Sequence, residues 1–173
     1  MRTELERTVQ PSLLDRLTDE QPTQPADARL TRDESVRQYR LSVQRDVAWL
    51  FNTRRSIVVV PDAYSELLQS VHEFGIPDTT IIAPGTPEGQ HELEKMLQEA
   101  LERFEPRLAN PRVRLVDADQ VAAPQVRFTV EAVLRMDPSP EAVVFDAVLE
   151  VARNEYEVRD VGVAGTAGGA RGA

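Results

Sequence analysis

The chain has 173 residues, which is enough for one domain with a hydrophobic core and too few for two full domains. Its formal net charge of -9, from 20 basic and 29 acidic side chains, argues against an autonomous nucleic-acid-binding protein and disfavours acidic partners. Cysteine is absent and only two histidines occur, which excludes disulfides and thiolate metal sites and disfavours a histidine-based metal site. We therefore expect neither a metal nor a cofactor.

The first 30 residues predict a short helix on a flexible linker. Ser12 is a candidate N-cap, and Leu13, Leu14 and Leu17 fall on one side of the one or two turns that follow. Residues 18–29 are rich in Gln, Pro, Asp and Thr, a composition typical of linkers. The leucines are thus expected either to pack back on the domain or to bind a partner.

The longest helix is predicted over residues 31–52. Thr31 and Glu34 form a capping-box pattern at its start. Arg54 and Arg55 follow its end, where cations complement the helix dipole. Apolar residues recur at steps of three and four, which indicates one buried face: Val36, Tyr39, Val43, Val47 and Leu50.

Two more helices are predicted before residue 106. One begins at Asp62 or Ser65 and ends at Gly75, and its buried side is predicted to carry Leu67, Leu68, Val71 and Phe74. The other runs from about Glu88 to Glu105 and ends because Pro106 cannot continue a helix. Its predicted buried residues are Leu93, Met96, Leu97, Leu101 and Phe104.

An apolar run at residues 57–60 is predicted to be a short strand or a buried loop. It is the longest strongly apolar run and is far too short to span a bilayer. Residues 1–10 contain no apolar run and predict neither a signal peptide nor a membrane anchor. Direct membrane insertion is therefore not expected.

After Leu108 the apolar period changes from about four to two, which predicts strands. Four segments alternate in this way, around residues 113–115, 126–136, 143–151 and 156–161. Their short connections predict an α+β fold, with three main helices packed on one face of a four-stranded antiparallel sheet. Such a sheet is expected to leave two edge strands open to a strand from another chain. The predicted domain spans residues 31–161, between the segment 1–30 and a flexible Gly/Ala-rich tail at 162–173.

The corner between the last helix and the sheet carries the charges most suggestive of a site. Glu105 and Arg107 flank Pro106, so they form either a docking feature or a pair of solvated charges after a helix end. Glu102 and Glu105, one helical turn apart, are the candidate carboxylate pair for glycoside hydrolysis. No phosphate-binding loop, serine elbow or zinc motif accompanies them, so catalysis is not expected.

Four short motifs, in this order, resemble the TssE family of type VI secretion baseplate subunits. They are SLLDRL at residues 12–17, VAWLFNTRR at 47–55, GIPD at 75–78 and FEPRL at 104–108. This family is related to the lysozyme-like wedge proteins of contractile-phage baseplates. The resemblance covers about residues 12–161 and departs from the family pattern at residues 56–61 and in the tail.

The resemblance implies a structural protein of the bacterial cytoplasm, held at the inner membrane through other subunits. It implies assembly with TssF and TssG into a baseplate wedge, with TssK as a further candidate partner. It also implies a role in starting polymerisation of the contractile TssB/TssC sheath, with strand addition at a sheet edge as the expected mechanism. The alternatives are a peptidoglycan hydrolase and a generic adaptor. The family's sheath-assembly surface corresponds to Glu105, Pro106 and Arg107, and we add Leu13, Leu14, Leu17, Arg54 and Arg55 as partner-binding candidates.

Overall fold

The computed structural model describes residues 8–18, 30–79, 82–116 and 125–162, which form an α+β fold. The predicted linker after Thr18 and the predicted tail after Gly162 lie outside the described residues. The helices are α1 (Leu13–Leu17), α2 (Arg32–Asn52), α3 (Ser65–Leu68) and α4 (Pro87–Phe104), with a 3₁₀ turn at Val71–Glu73. The strands are β1 (Leu108–Leu115), β2 (Gln125–Leu134), β3 (Glu141–Glu150) and β4 (Glu155–Gly162).

The four strands form the predicted antiparallel meander, in the spatial order β1-β2-β3-β4. The register places Val113 opposite Val130, and Val130 opposite Phe145. These residues are buried, while their neighbours along each strand are more exposed. The period of two in the sequence therefore becomes one buried face of the sheet.

The two long helices complete the core against that face. α2 contacts β4 and α4 contacts β1, so each long helix packs beside one of the two outer strands of the sheet. Both helices begin at side-chain caps, the first at the predicted box of Thr31 and Glu34 and the second at Thr86. Their apolar stripes join the core through residues at most 2 % exposed, namely Val43, Val47, Leu50, Leu93, Leu97 and Leu101.

The middle helix differs from its prediction. α3 has only four residues, and Val71, predicted to be buried, is exposed. Gly75 has a positive φ of 108°, and a Cβ at this position would clash with the carbonyl oxygen of Thr53. Ile76 also donates its N–H to the Thr53 carbonyl. Before this return, Ser70 is extended, with a ψ of 175°, which interrupts the predicted helix and begins the 3₁₀ turn.

The apolar run at residues 57–60 also differs from both of its predicted states. It forms no strand, and Ile57, Val58 and Val59 are exposed. Only Val60 is buried. The run therefore lies on the surface, in a loop between α2 and α3.

Candidate functional site

The chain turns sharply between α4 and β1 at the predicted corner. Glu105 is the C-cap residue of α4, and its N–H donates to the carbonyl of Leu101. Pro106 follows and is exposed, and Leu108 donates its N–H back to the carbonyl of Glu105. The helix stop predicted from Pro106 is confirmed.

The two charges of this corner bind each other and α2. Arg107 donates from Nε and Nη2 to the two carboxylate oxygens of Glu105, at 2.6 and 2.7 Å. Nη2 also lies 2.7 Å from Oδ2 of Asp46, and Nη1 lies 3.3 Å from Oγ of Ser42. We call Ser42, Asp46, Glu105 and Arg107 the corner clamp. It joins α2 to the start of the sheet.

The charged groups of the corner clamp are largely buried. Glu105 is only 5 % exposed, and the side chain of Arg107 is 20 % exposed. Burial alone would lower the pKa of Arg107, but the hydrogen bond and charge of Glu105, with those of Asp46, raise it. The guanidinium is therefore charged at all working pH values. The corner exposes Pro106 and part of Arg107 to solvent, whereas the Glu105 carboxylate is buried.

The N-terminal helix α1 attaches to α2 through its polar side. Ser12 caps it in a reciprocal box with Asp15, which extends the predicted N-cap. Asp15 also accepts from Ser42 Oγ at 2.8 Å and from Arg45 Nη2 at 2.7 Å. Burial alone would raise the pKa of Asp15, but the hydrogen bonds from Ser12, Arg45 and Ser42 lower it to about 2.

The leucines of α1 face away from the domain. Leu13 is 70 % exposed and Leu17 is 75 % exposed, and Leu14 is exposed as well. The same segment is fixed upstream, where Val9 is buried and donates its N–H to Ser35 Oγ. The helix is thus positioned by its polar side and presents its apolar side outward.

The attachment of α1 and the corner clamp form one polar network. Ser42 contacts both Asp15 and Arg107, and Arg45 also binds Asp46 at 2.8 Å. The three α2 residues of this network are not among the site residues predicted from the sequence. Their signal is a polar group at positions 42, 45 and 46, which share one side of a helix that is otherwise striped with buried residues.

Arg54 and Arg55 support the fold. Arg54 donates to the carbonyl of Phe51 at the end of α2 and to that of Asn154 in the β3–β4 turn, at 3.2 and 2.8 Å. Arg55 lies 3.5 Å from the buried Glu73. The cations were expected near the helix end, and the structure shows that both have partners within the chain.

The outer edge of β4 is covered by side chains of α2. The amide of Asn52 pairs with both main-chain groups of Tyr156, donating to its carbonyl and accepting from its N–H, each at 2.8 Å. Gln44 donates to the carbonyl of Val158 at 2.8 Å. Two amide side chains thus take the place of a neighbouring strand.

α4 covers the outer edge of β1 in the same way. Gln98 accepts from the N–H of Val113 at 2.8 Å and donates to the carbonyl of Pro111. Glu94 accepts from the N–H of Leu115 at 3.2 Å. The expectation of two open edge strands is therefore wrong over these residues. Glu94 and Gln98, which lie outside the predicted apolar stripe of α4, close this edge.

The described residues contain few features of an active site. Glu102 is exposed and accepts from Gln98, whereas Glu105 is held in the corner clamp. No group of three or more His, Cys, Asp or Glu side chains within the described ranges is arranged to hold a metal ion. Among those same residues, no helix is long and apolar enough to cross a membrane.

Comparison with known protein families gives a match over the middle of the chain. The family described as baseplate wedge protein gp25 matches residues 37–139, which run from α2 through the corner clamp to the turn between β2 and β3. No curated protein and no solved structure matches the chain.

Proposed function

Because the chain belongs to the family of baseplate wedge protein gp25, we propose that it is a structural subunit of a type VI secretion baseplate. In this proposal it assembles with TssF and TssG into the wedge and helps to start polymerisation of the TssB/TssC sheath. TssK is a further candidate partner. The site of action is the bacterial cytoplasm, at the inner face of the inner membrane.

The observation that carries the proposal is the family match over most of the long helix α2, from residue 37 on, the corner and the first half of the sheet. The corner clamp lies inside this range, and Ser42 connects it to α1. A rigid corner and an outward-facing apolar helix, joined by one polar network, suit a subunit that must hold two partners in fixed positions.

We assign the leucines of α1 to the wedge partners and the outer surface of the corner to the sheath. Leu13 and Leu17 offer an apolar ridge of the kind that fits a hydrophobic groove. Pro106 and Arg107 offer a rigid surface with one charge, which suits a contact that sets orientation.

A structural role is also proposed over a hydrolytic one. A carboxylate pair in a glycosidase needs one group free to act as an acid and a cleft for the sugar. The Glu105 carboxylate is occupied by Arg107 through two hydrogen bonds, and Glu102 lies on the exposed side of α4. Neither arrangement favours proton transfer to a substrate.

The wedge assignment is tested by replacing Leu13 and Leu17 together with serine in cells that produce labelled sheath. Pull-down measures association with TssF and TssG, and fluorescence microscopy counts sheaths. The proposed contact would bury both leucines in the complex, so replacing them should weaken association at least about tenfold. Leu41→Ser, at an exposed leucine of α2, is the matched control and should change nothing. Equal behaviour of the two variants would contradict the assignment.

The sheath assignment needs a control for stability, because Arg107 also supports the fold. Arg107→Ala is compared with a core variant such as Leu134→Ala, and the expression temperature is chosen so that both are equally folded. Loss of sheaths in Arg107→Ala alone, with TssF and TssG still bound, supports the corner as a sheath contact. Normal sheaths in both variants would contradict the corner as a sheath contact. If the variants also still bind TssF and TssG, a generic adaptor is favoured.

A further inference from the structure

The loop between α2 and α3 carries an exposed apolar run that the proposed contacts do not use. Ile57 is 90 % exposed and Val59 is 87 % exposed, and Val58 between them is also exposed. Three consecutive β-branched side chains on the surface have a high preference for strand conformation. We call residues 56–60 the apolar loop.

Both ends of the apolar loop are fixed to the domain. At its start, Arg54 forms an isolated parallel bridge with Ile76, and Arg55 donates its N–H to the Ile76 carbonyl. At its end, Val60 is buried, and the carbonyl of Pro61 accepts from the N–H of Tyr64. The domain therefore presents the middle of the loop in a defined place.

The main chain of the apolar loop is almost unpaired. Val58 donates its N–H to Ser56 Oγ at 3.2 Å. In the described part of the chain, the main-chain groups of Ile57, Val59 and Val60 make no hydrogen bond. A segment with strand-forming residues, exposed side chains and free N–H and C=O groups has what a strand needs when it joins a sheet.

We propose that the apolar loop becomes a strand on assembly and pairs with the open edge of a β-sheet in another baseplate subunit. This inference rests on the proposed function. A second copy of the chain does not fit the requirement, because Asn52 and Gln44 close its β4 edge and Gln98 and Glu94 close its β1 edge. The chain is thus a donor of a strand to a different protein.

A membrane surface fits the apolar loop less well. Membrane-binding segments combine apolar residues with aromatic anchors and free basic groups. The loop contains no aromatic residue, and the adjacent Arg54 and Arg55 bind carbonyls and Glu73. The net charge of -9 also opposes binding to anionic lipid.

The test uses the full chain and the purified TssF–TssG complex, with binding and amide hydrogen exchange as the two measurements. Consecutive N–H groups of a strand point in opposite directions, so only one of Val58 and Val59 donates to the partner's edge. Proline removes the N–H but is compatible with an edge strand where that N–H is unpaired. One of Val58→Pro and Val59→Pro should weaken binding at least about tenfold, while the other stays within about threefold.

Side-chain replacements distinguish main-chain pairing from insertion into an apolar groove. Val59→Thr keeps the β-branched shape and should bind within about threefold of the unmodified chain. Val71→Thr, at a valine that is also 87 % exposed, is the control. In the complex, amides of residues 57–60 should exchange more slowly than in the free chain.

Each other outcome overturns the inference. Equal losses in both proline variants and in Val59→Thr would indicate a side-chain groove, and no loss in either proline variant would exclude pairing. Protection of the loop by anionic lipid vesicles, or in the chain alone at high concentration, would assign it to a membrane or to self-association. If the chain binds TssF–TssG but the amides of residues 57–60 are not protected, only the strand inference is overturned. If the unmodified chain does not bind TssF–TssG, the wedge proposal is overturned as well.

Discussion

At the scale of single residues, Arg107 has the largest structural role in the site. It binds a buried carboxylate from its own corner and a carboxylate from α2, so three polar groups depend on one side chain. Removing one member of a buried ion pair leaves the other charge without compensation, which is more destabilising than removing both.

This asymmetry gives the first prediction. Arg107→Ala should lower the free energy of unfolding by about 3 kcal/mol, because Glu105 stays buried without its partner. The double variant Glu105→Leu/Arg107→Met should recover more than half of that loss. Urea denaturation followed by circular dichroism measures both. A double variant less stable than Arg107→Ala would contradict the corner clamp as an ion pair that mainly positions the chain.

Tyr156 gives the opposite case, a polar group without a partner. Its hydroxyl is buried and makes no hydrogen bond among the described residues. The centroid of its ring lies 5.6 Å from that of the Phe51 ring. Tyr156→Phe keeps the ring contact and removes the unpaired hydroxyl. We expect the free energy of unfolding to stay equal or to rise by up to about 1 kcal/mol.

The pH dependence supplies a second measurement on the same variant. Burial raises the pKa of Tyr156 from 10.0 to about 12. The unfolded chain therefore loses this proton first, so stability falls as the pH rises above 10. In Tyr156→Phe this fall should be smaller, as measured by denaturation between pH 9 and pH 12. An identical fall in both proteins would show that the buried hydroxyl is not its source.

At the scale of elements, α1 is a helix attached by its polar side. It has five residues and no buried residue of its own, so its own packing cannot hold it. Asp15 supplies the attachment through Ser42 and Arg45, and the buried Val9 adds a contact before the helix. Replacing Asp15 should therefore release α1 with little effect on the rest of the domain.

Trp49 makes this release measurable, because it is the only tryptophan and Arg45 stacks on its ring at 4.9 Å. The pKa of Asp15 is lowered from 3.8 to about 2, so its stabilising contribution is complete above pH 3.8 and is lost as the pH falls through about 2. The fluorescence of Trp49 should change over that interval. In Asp15→Asn it should start near the acid value at pH 7 and show no such step.

Two outcomes would contradict this account of α1. One is an unchanged fluorescence transition in Asp15→Asn, which would assign the transition to another carboxylate. The other is a large loss of global stability, which would mean that α1 belongs to the core. Asp33→Asn, in the first turn of α2, is a control that should keep the acid step.

At the scale of the whole molecule, the sequence correctly predicted those features that depend on interactions between residues close together in the chain. The capping box of α2, the helix stop at Pro106 and the period-two strands all depend on neighbouring residues, and all are found in the structure. The middle helix was predicted too long because its apolar period continues past Ser70, which is extended in the structure. A periodic pattern does not contain that information.

The candidate site was predicted only in part, for the same reason. Glu105 and Arg107 were identified from the motif, but their partner Asp46 lies 61 residues away from Arg107 in the sequence. Glu94 and Gln98 look like ordinary exposed positions of an amphipathic helix, because their role depends on where β1 lies. Side chains that hydrogen-bond to the main chain of a distant element leave no periodic pattern in the sequence.

The closure of both sheet edges leads to the last prediction. Glu94→Ala/Gln98→Ala should leave the N–H groups of Val113 and Leu115 without their partners. We expect a loss of about 1–3 kcal/mol in the free energy of unfolding, and faster hydrogen exchange at these two amides. The opened edge should also make the protein associate as its concentration rises, which light scattering after size exclusion would detect.

The matched control is Glu92→Ala/Glu99→Ala, which changes two exposed residues of the same helix. It should not associate further as its concentration rises, and it should keep slow exchange at Val113 and Leu115. If the two double variants behave alike, the side chains of α4 do not close the β1 edge. If only Glu94→Ala/Gln98→Ala associates, the sheet of this protein is kept from accepting strands by its own helices, and any strand that it receives in a baseplate must first displace them.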